Sequence, residues 1–320
     1  MKGRTSILAI ALCLCAGPAP AQDWPSHTVK IIVPFGAGGP ADVAARLIAN
    51  TLQDKLKQPF VVEDKPGAGA VIGTLDVAKS APDGYTLLMM SNTQTANESL
   101  LPQRSYELMR DFVPVAPVNT SDLVIVVHPS VPAKTLQEFI ALAKSEPGKL
   151  NYASSGQGTP YHMAGELFKA MTGTNIVHVA HRSSGDARAS VLGGQVEMMI
   201  DAVTTMAPNI AAGQVRALAT TGKTRSKVLP DVPTADEAGV PGYEATIWLG
   251  VMAPAATPAA VVNRLNAEIN AVIAMPANVE LWARQGASPM VMSSGEFDKF
   301  LRADIVKWAG VVKTFNNVQQ

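Results

Sequence analysis

Residues 36–47, "GAGGPADVAARL", and residues 156–167, "GQGTPYHMAGEL", share one pattern, G-x-G-x-P-x-x-x-A-x-x-L. The first follows the apolar run "VKIIV" (29–33) and the second follows "NYASS" (151–155), so each is a glycine-rich turn between a strand and a helix. Pro40 and Pro160 suit the first helical position, whose N–H has no intrahelical partner in any case. Gly39 and Thr159 then fall at the caps, where the Thr159 hydroxyl is expected to bond first-turn amides. Each helix would present free amides and the positive end of its dipole. Two such ends facing one cleft would grip an anionic group, a phosphate or a carboxylate, without any charged side chain.

Outward from these turns, strand-length apolar runs alternate with helical stretches. "VKIIVPF" precedes a helix with apolar residues at Val43, Leu47, Ile48 and Leu52. "PFVVEDK" (59–65) reads as strand, "VIGTLDVAKS" (71–80) as helix and "YTLLMM" (85–90) as strand. This βαβαβ order predicts a parallel sheet covered on both faces. The alternation restarts at "LVIVVHP" (123–129) and runs to "VRALATTG" (215–222), after which come "ATIWLGVMAP" (245–254) and two helical segments. The expected fold is α/β with two lobes, residues 22–121 plus 244–320 and residues 122–243. The chain would cross between them near Val118–Val127 and near Tyr243–Val251. Two crossovers make a hinge and leave a ligand cleft.

Residues 1–21 read as a leader. Lys2 and Arg4 precede a ten-residue apolar stretch, Ile7 to Ala16, and Ala19 and Ala21 make an Ala-x-Ala site, predicting cleavage before Gln22. Ten residues are too few for a bilayer span of roughly 20. Cys13 and Cys15 also raise a lipoprotein, but Leu12 and Leu14 precede them where a small residue is wanted. Both cysteines of the chain lie in this leader, which removes disulfides, thiolate catalysis and cysteine–metal sites from the mature protein. Without Lys2 and Arg4 the 26 basic residues become 24 against 26 acidic ones, and no basic block points to nucleic acid. The reading is a soluble, exported protein.

The first turn also fits a relaxed dinucleotide fingerprint, Gly36-x-Gly38-x-x-Ala41, with Glu63-Asp64 at the end of the second strand. Pro34 and Phe35 lengthen that turn beyond what the fingerprint wants, and in "KPGAGAVIG" (65–73) Ile72 stands in place of the third glycine. An exported nucleotide-using enzyme is the alternative reading. The histidines His27, His128, His162, His178 and His181 make no metal-ligand spacing. No G-x-S-x-G elbow surrounds Ser154 and Ser155; His162, one turn into the following helix, reads as a packing or capping residue, with a place near Ser155 as the alternative. Neither cofactor nor metal is expected. Trp248 reads as a hinge or cleft-wall aromatic, or as core.

Several blocks together carry a resemblance: "WPSHTVKIIVPFGAGGPADVAARLIA" (24–49), "VVEDKPGAGAVIGT" (61–74), "APDGYTLLM" (81–89), "NYASSGQGTPYHMAGELFK" (151–169), "LGGQVEMMID" (192–201) and "LPDVPTADEAGVPGYEATIWLGVMAPAATP" (229–258). In this order they resemble the Bug family, the substrate-binding proteins of tripartite tricarboxylate transporters. The resemblance implies a Venus-flytrap fold of the type II-like periplasmic binding proteins. It also implies a periplasmic location, a small carboxylate ligand held by backbone amides and ordered water, delivery to membrane transporter subunits, and a monomer. Carried over residue by residue, the ligand contacts would be Phe35, Ala37, Gly38, Gly39 and Asp42 in the first lobe. Ser91, Asn92, Thr93 and Gln94 of the polar segment after the third strand would line the cleft. In the second lobe the contacts would be Ser154, Ser155, Gly156, Gly158 and Thr159, with Asp201 near the mouth. A sensory receptor for the same ligands would use the same features.

One stretch departs from the family pattern. Where the family shows "HVPYKG", this chain has "HVAHRSSGDA" (178–187). Arg182 or His181, turned inward, would pair with a second carboxylate. Asp186 would favour an amino group on the ligand, or else cap the helix that follows.

Overall fold

Val29, Ile31, Ile32 and Val33 are almost wholly buried, leaving only Lys30 exposed, so strand β1 (Val29–Val33) lies inside a covered sheet. The computed structural model describes residues 24–318; the predicted leader and its cleavage site lie outside them. β1 pairs in parallel with β2 (Phe60–Asp64) and β3 (Thr86–Ser91), as the βαβαβ order predicts. The sheet then turns antiparallel. β3 pairs with β9 (Thr246–Pro254), and β9 with β4 (Phe112–Val127), so the whole is mixed rather than parallel.

β4 joins the two lobes. Its first part, to Asp122, pairs with β9, and from Leu123 onward it pairs with β7 (Met198–Ala202) and β8 (Arg216–Thr220). β7 and β6 (Val177–Ala180) flank β5 (Asn151–Ser154), all parallel. The sequence reading started this strand only at Leu123, whereas it begins at Phe112 and takes in Pro114 and Pro117. The ladder absorbs both prolines by shifting register beside each of them.

Helix α1 (Pro40–Leu56) buries Ala41, Ala44, Ala45, Ile48, Ala49 and Leu52 against the sheet, while Val43 is exposed. The apolar spacing from Val43 thus misplaced the inner face by about one residue. Small alanines let the helix approach the strands closely, and Val43 is left outside. The helices α2 (Val71–Ala78), α3 (Asn92–Leu100), α4 (Leu108–Asp111), α5 (Leu136–Ser145), α6 (Pro160–Thr172), α7 (Ser184–Leu192) and α8 (Val203–Ala211) follow in order. Near the C-terminus stand α9 (Ala259–Ile273), α10 (Pro276–Gln285), the short strand β10 (Ala287–Pro289) and α11 (Ser294–Val318). Trp248 is buried against Phe297 and Phe300 of α11, so it is core rather than cleft wall. No helix among the described residues is long and apolar enough to cross a membrane.

Candidate functional site

The twin turns differ at their first glycine, where Gly156 has φ +117° and Gly36 has no positive φ, but they take the same path from the second glycine onward. Gly38 and Gly158 both have left-handed φ, +74° and +77°, which a side chain would strain. The following caps are extended in both, Gly39 at φ −81°, ψ 168° and Thr159 at φ −70°, ψ 159°. Neither α1 nor α6 receives a side-chain cap. The expectation for Thr159 is corrected here, since its hydroxyl donates to the Gly156 carbonyl at 2.7 Å instead of accepting from the helix. By contrast Ser91, Thr135 and Ser183 cap α3, α5 and α7. The first-turn amides of α1 and α6 therefore stay without a side-chain partner.

A cavity of about 270 Å³ lies where these turns meet. Its walls come from loops at the carboxyl ends of β1, β2 and β3 in one lobe and of β5 and β6 in the other, with Ile247 and Leu249 of β9 behind. Ligands of open α/β sheets bind at such strand ends. Ala41 and Tyr161, the residues directly after the two prolines, both border it. No aspartate or glutamate lines it; its ionisable members besides Tyr161 are Arg182 and His181.

Of the residues named from the sequence, Phe35, Gly39, Ser91, Ser155, Gly156, Thr159 and Arg182 line this cavity. Ala37, Gly38, Asp42, Asn92, Thr93, Gln94, Ser154, Gly158 and Asp201 do not. Gly38 gives its N–H to Asp42 Oδ2 at 2.8 Å, and Gly158 gives its N–H to His162 Nδ1 at 3.2 Å, so neither amide is free for a ligand. Ala37 is exposed. Asn92 is buried and donates to the Thr246 carbonyl, tying α3 to the start of β9. Thr93 donates its N–H to the Ser91 hydroxyl, and Gln94 completes a capping box there while donating to Thr74. "SNTQTAN" is thus the capped start of a helix, of which only Ser91 reaches the cavity. Asp201 is fully buried and paired with Arg188 at 3.0 Å; burial pushes its carboxyl up, against the pull of Arg188. Asp186 is exposed, and Ser183 rather than Asp186 caps α7.

Residues that sequence reasoning missed are Ala41, Tyr161, Ser183, Ser184, Ile247, Leu249 and the segment 66–70. The helix-start prolines were a usable signal for Ala41 and Tyr161, since the first free amide comes right after them. Strand alternation around Trp248 places Ile247 and Leu249 together on the opposite face. Nothing local singles out Ser183 or Ser184.

Each turn is braced from behind in its own way. In the first lobe Asp42 Oδ1 pairs with Arg46 at 2.6 Å, and Arg46 reaches Asp64 at 3.1 Å. Burial, then the Asp42 charge, pushes Asp64 up. In the second lobe Ser154 Oγ meets His178 Nε2 at 2.6 Å and accepts the Gly156 N–H at 3.1 Å. The His162 and His178 rings lie 4.3 Å apart. Burial, followed by the neighbouring His162, lowers His178 to about 4, and burial lowers His162 as well. Among the described residues no cluster of three or more His, Cys, Asp or Glu is placed to hold a metal ion.

The lobes touch across the cleft at backbone. A Cβ on Gly36 would lie 2.4 Å from Ser183 Cβ, and one on Gly39 would lie 3.0 Å from Ser184 Oγ. One on Gly69 would lie 2.9 Å from the Gln157 carbonyl. The two lobes are therefore in contact beside the cavity.

Two α/β lobes joined by two crossing strands, closed over a cavity at the strand ends, define the class of periplasmic solute-binding proteins. Residues 44–317 match the tripartite tricarboxylate transporter family receptor. BugT of Bordetella pertussis is 40% identical over 306 residues, covering 95% of this chain and 94% of the relative. Among solved structures, R. palustris Rpa4515 with adipate has TM-score 0.89 and 34% identity, covering 92% of this chain and 99% of that one. MatC from Rhodopseudomonas palustris with bound malate has TM-score 0.86 and 31% identity, covering 90% and 100%. The chain belongs to the tripartite tricarboxylate transporter receptor family; it is a solute-binding receptor and not an enzyme.

Proposed function

We propose that the chain captures a small carboxylate between its lobes and delivers it to membrane subunits of a tripartite tricarboxylate-type transporter. The carrying observation is the pair of uncapped helix starts, α1 and α6, bordering one cavity between the lobes that no acidic side chain lines. In this reading the ligand carboxylate takes the amides of Ala41 and Tyr161, supported by Gly39, Ser155, Gly156 and Thr159, with water completing its shell. Adipate and malate in the two similar structures are of the same chemical class. The lobes divide as 22–121 plus 244–320 and 122–243, a reading supported by the change of partners in β4 after Asp122 and by the start of β9 at Thr246. The protein acts as a periplasmic monomer, exported by a leader cut before Gln22, and its output is the closed shape.

Thermal melting with a panel of small acids tests this. Binding raises the melting temperature by mass action, and a nicotinamide dinucleotide leaves it unchanged. Gly39→Asp puts a carboxylate against the receiving amides and against Ser184, and is expected to abolish the shift. A normal shift in that variant would show that the acid is held elsewhere.

A further inference from the structure

A second cavity, of about 640 Å³, lies on the other side of the Gly69–Gln157 contact. It shares Ala68 and Gly69 with the first cavity, so one short backbone segment separates the two. From the first lobe it takes Val71, Leu100, Leu101 and Pro102, and from the second Gln157 and Gly158. The dividing segment is held in place, because Asn97 Nδ2 donates to the Gly69 carbonyl at 2.8 Å. Ala68 and Ala70 lie in the left-handed region, at φ +49° and +72°.

The two spaces differ in chemistry. The first is small and bounded by bare helix starts and Arg182. The second is more than twice as large, and the apolar Val71, Leu100, Leu101 and Pro102 share its wall with the polar Asn97, Gln103, Ser105 and Gln157. Its one cation, Arg104, is engaged by Glu98 Oε2 at 2.6 Å and by the carbonyls of Glu98 and Leu101. A carboxylate entering it would lose hydration and gain no free cation. An apolar chain would gain from burial there.

We propose that this second chamber receives the apolar extension of the ligand whose carboxylate sits in the first, so that the receptor selects acids with an aliphatic or aryl tail over short acids. The proposal rests on the carboxylate reading above. When the lobes close a little less far, the Gly69–Gln157 seam parts and the tail passes over Gly69. Glycine at 69 keeps the gap free of a side chain.

Calorimetric titration with the straight-chain monocarboxylates from butanoate to decanoate reads this directly. Affinity is expected to rise with length, by up to about fourfold for each methylene that enters the chamber. Leu100→Trp takes up part of the chamber and should reduce the rise while leaving butanoate unchanged. Gln103→Trp, at an exposed rim position, should do the same in part and serves if the first variant fails to fold. A length series that is flat in the natural protein, or a rise that is undiminished in both variants, would overturn the chamber. So would α,ω-diacids that bind more tightly than monoacids of equal length and lose that advantage in Leu100→Trp. If no acid binds at all, the carboxylate reading itself fails.

Discussion

Asp42 and His162 occupy the same position in the two copies of the repeat, and each accepts the N–H of the second glycine four residues earlier. One lobe uses a carboxylate tied to Arg46 and Asp64, and the other uses a histidine packed, with its ring tilted, against a second histidine. The backbone result is the same, a left-handed glycine followed by an extended cap. A turn geometry can therefore be repeated while the side chains that enforce it differ. What separates the lobes is their response to acid. Protonation of His162 at Nδ1 removes the acceptor that Gly158 needs, whereas the brace in the first lobe is an ion pair.

The largest effect short of abolishing binding is expected at the lobe contact. Gly36→Ala sets a methyl group into Ser183 Cβ and should lower ligand affinity tenfold or more by obstructing closure, about 1.4 kcal/mol. The ligand-free melting temperature should hardly move. Adding Ser183→Gly should restore affinity at a cost of only a few tenths of a kcal/mol for the α7 cap. Unrescued affinity would mean that the contact at Gly36 does not limit closure.

Next comes the brace of the first turn. Asp42→Ala removes the acceptor for Gly38 and the partner of Arg46, and should lower stability by about 1–2 kcal/mol in denaturant titration. Because Arg46 is half exposed, little of this comes from the ion pair itself. Asp42→Asn, which keeps an acceptor, should lose less. Equal losses for the two would transfer the effect to the charge.

The second lobe should show its difference as pH dependence. His178 moves from 6.5 to about 4 on folding, so the unfolded chain takes up that proton first as pH falls. Stability is full above pH 6.5 and declines between 6.5 and about 4; His162, also lowered, acts with the same sign. His178→Gln should make the fall of melting temperature over this range shallower. An unchanged slope would assign it to other groups. Ser154→Ala, the smallest change, should cost about 1 kcal/mol through the lost support of Gly156.

Local sequence made much of the fold legible. Apolar runs and punctuation by proline and glycine located β1, β2, β3, α1, α5 and α6 to within a few residues, because short-range sterics and burial periodicity act on neighbours. Three longer elements escaped, along with the short α4 and β10. The first half of β4 carries two prolines, α3 is polar yet buried, and α10 follows α9 after a brief break. In each, packing against distant chain overrode the local signal. At the cavity, the turns were legible as turns. Which amides face the ligand space was not, since Gly38 and Gly158 look free in the sequence and are already bonded to Asp42 and His162.

Taken alone, the sequence determined that two proline-started helices follow two glycine turns, one in each half of the chain. Those are properties of neighbouring residues, set by proline's missing N–H and glycine's missing Cβ. Only the tertiary structure decided that the two turns face each other, that Ser183 and Ser184 seat against Gly36 and Gly39, and that Asp201 lies buried on Arg188 away from the cavity. It also decided that Ala68 and Gly69 divide two chambers. Such pairings depend on strand order and on lobes brought together by β4 and β9, which no local pattern records.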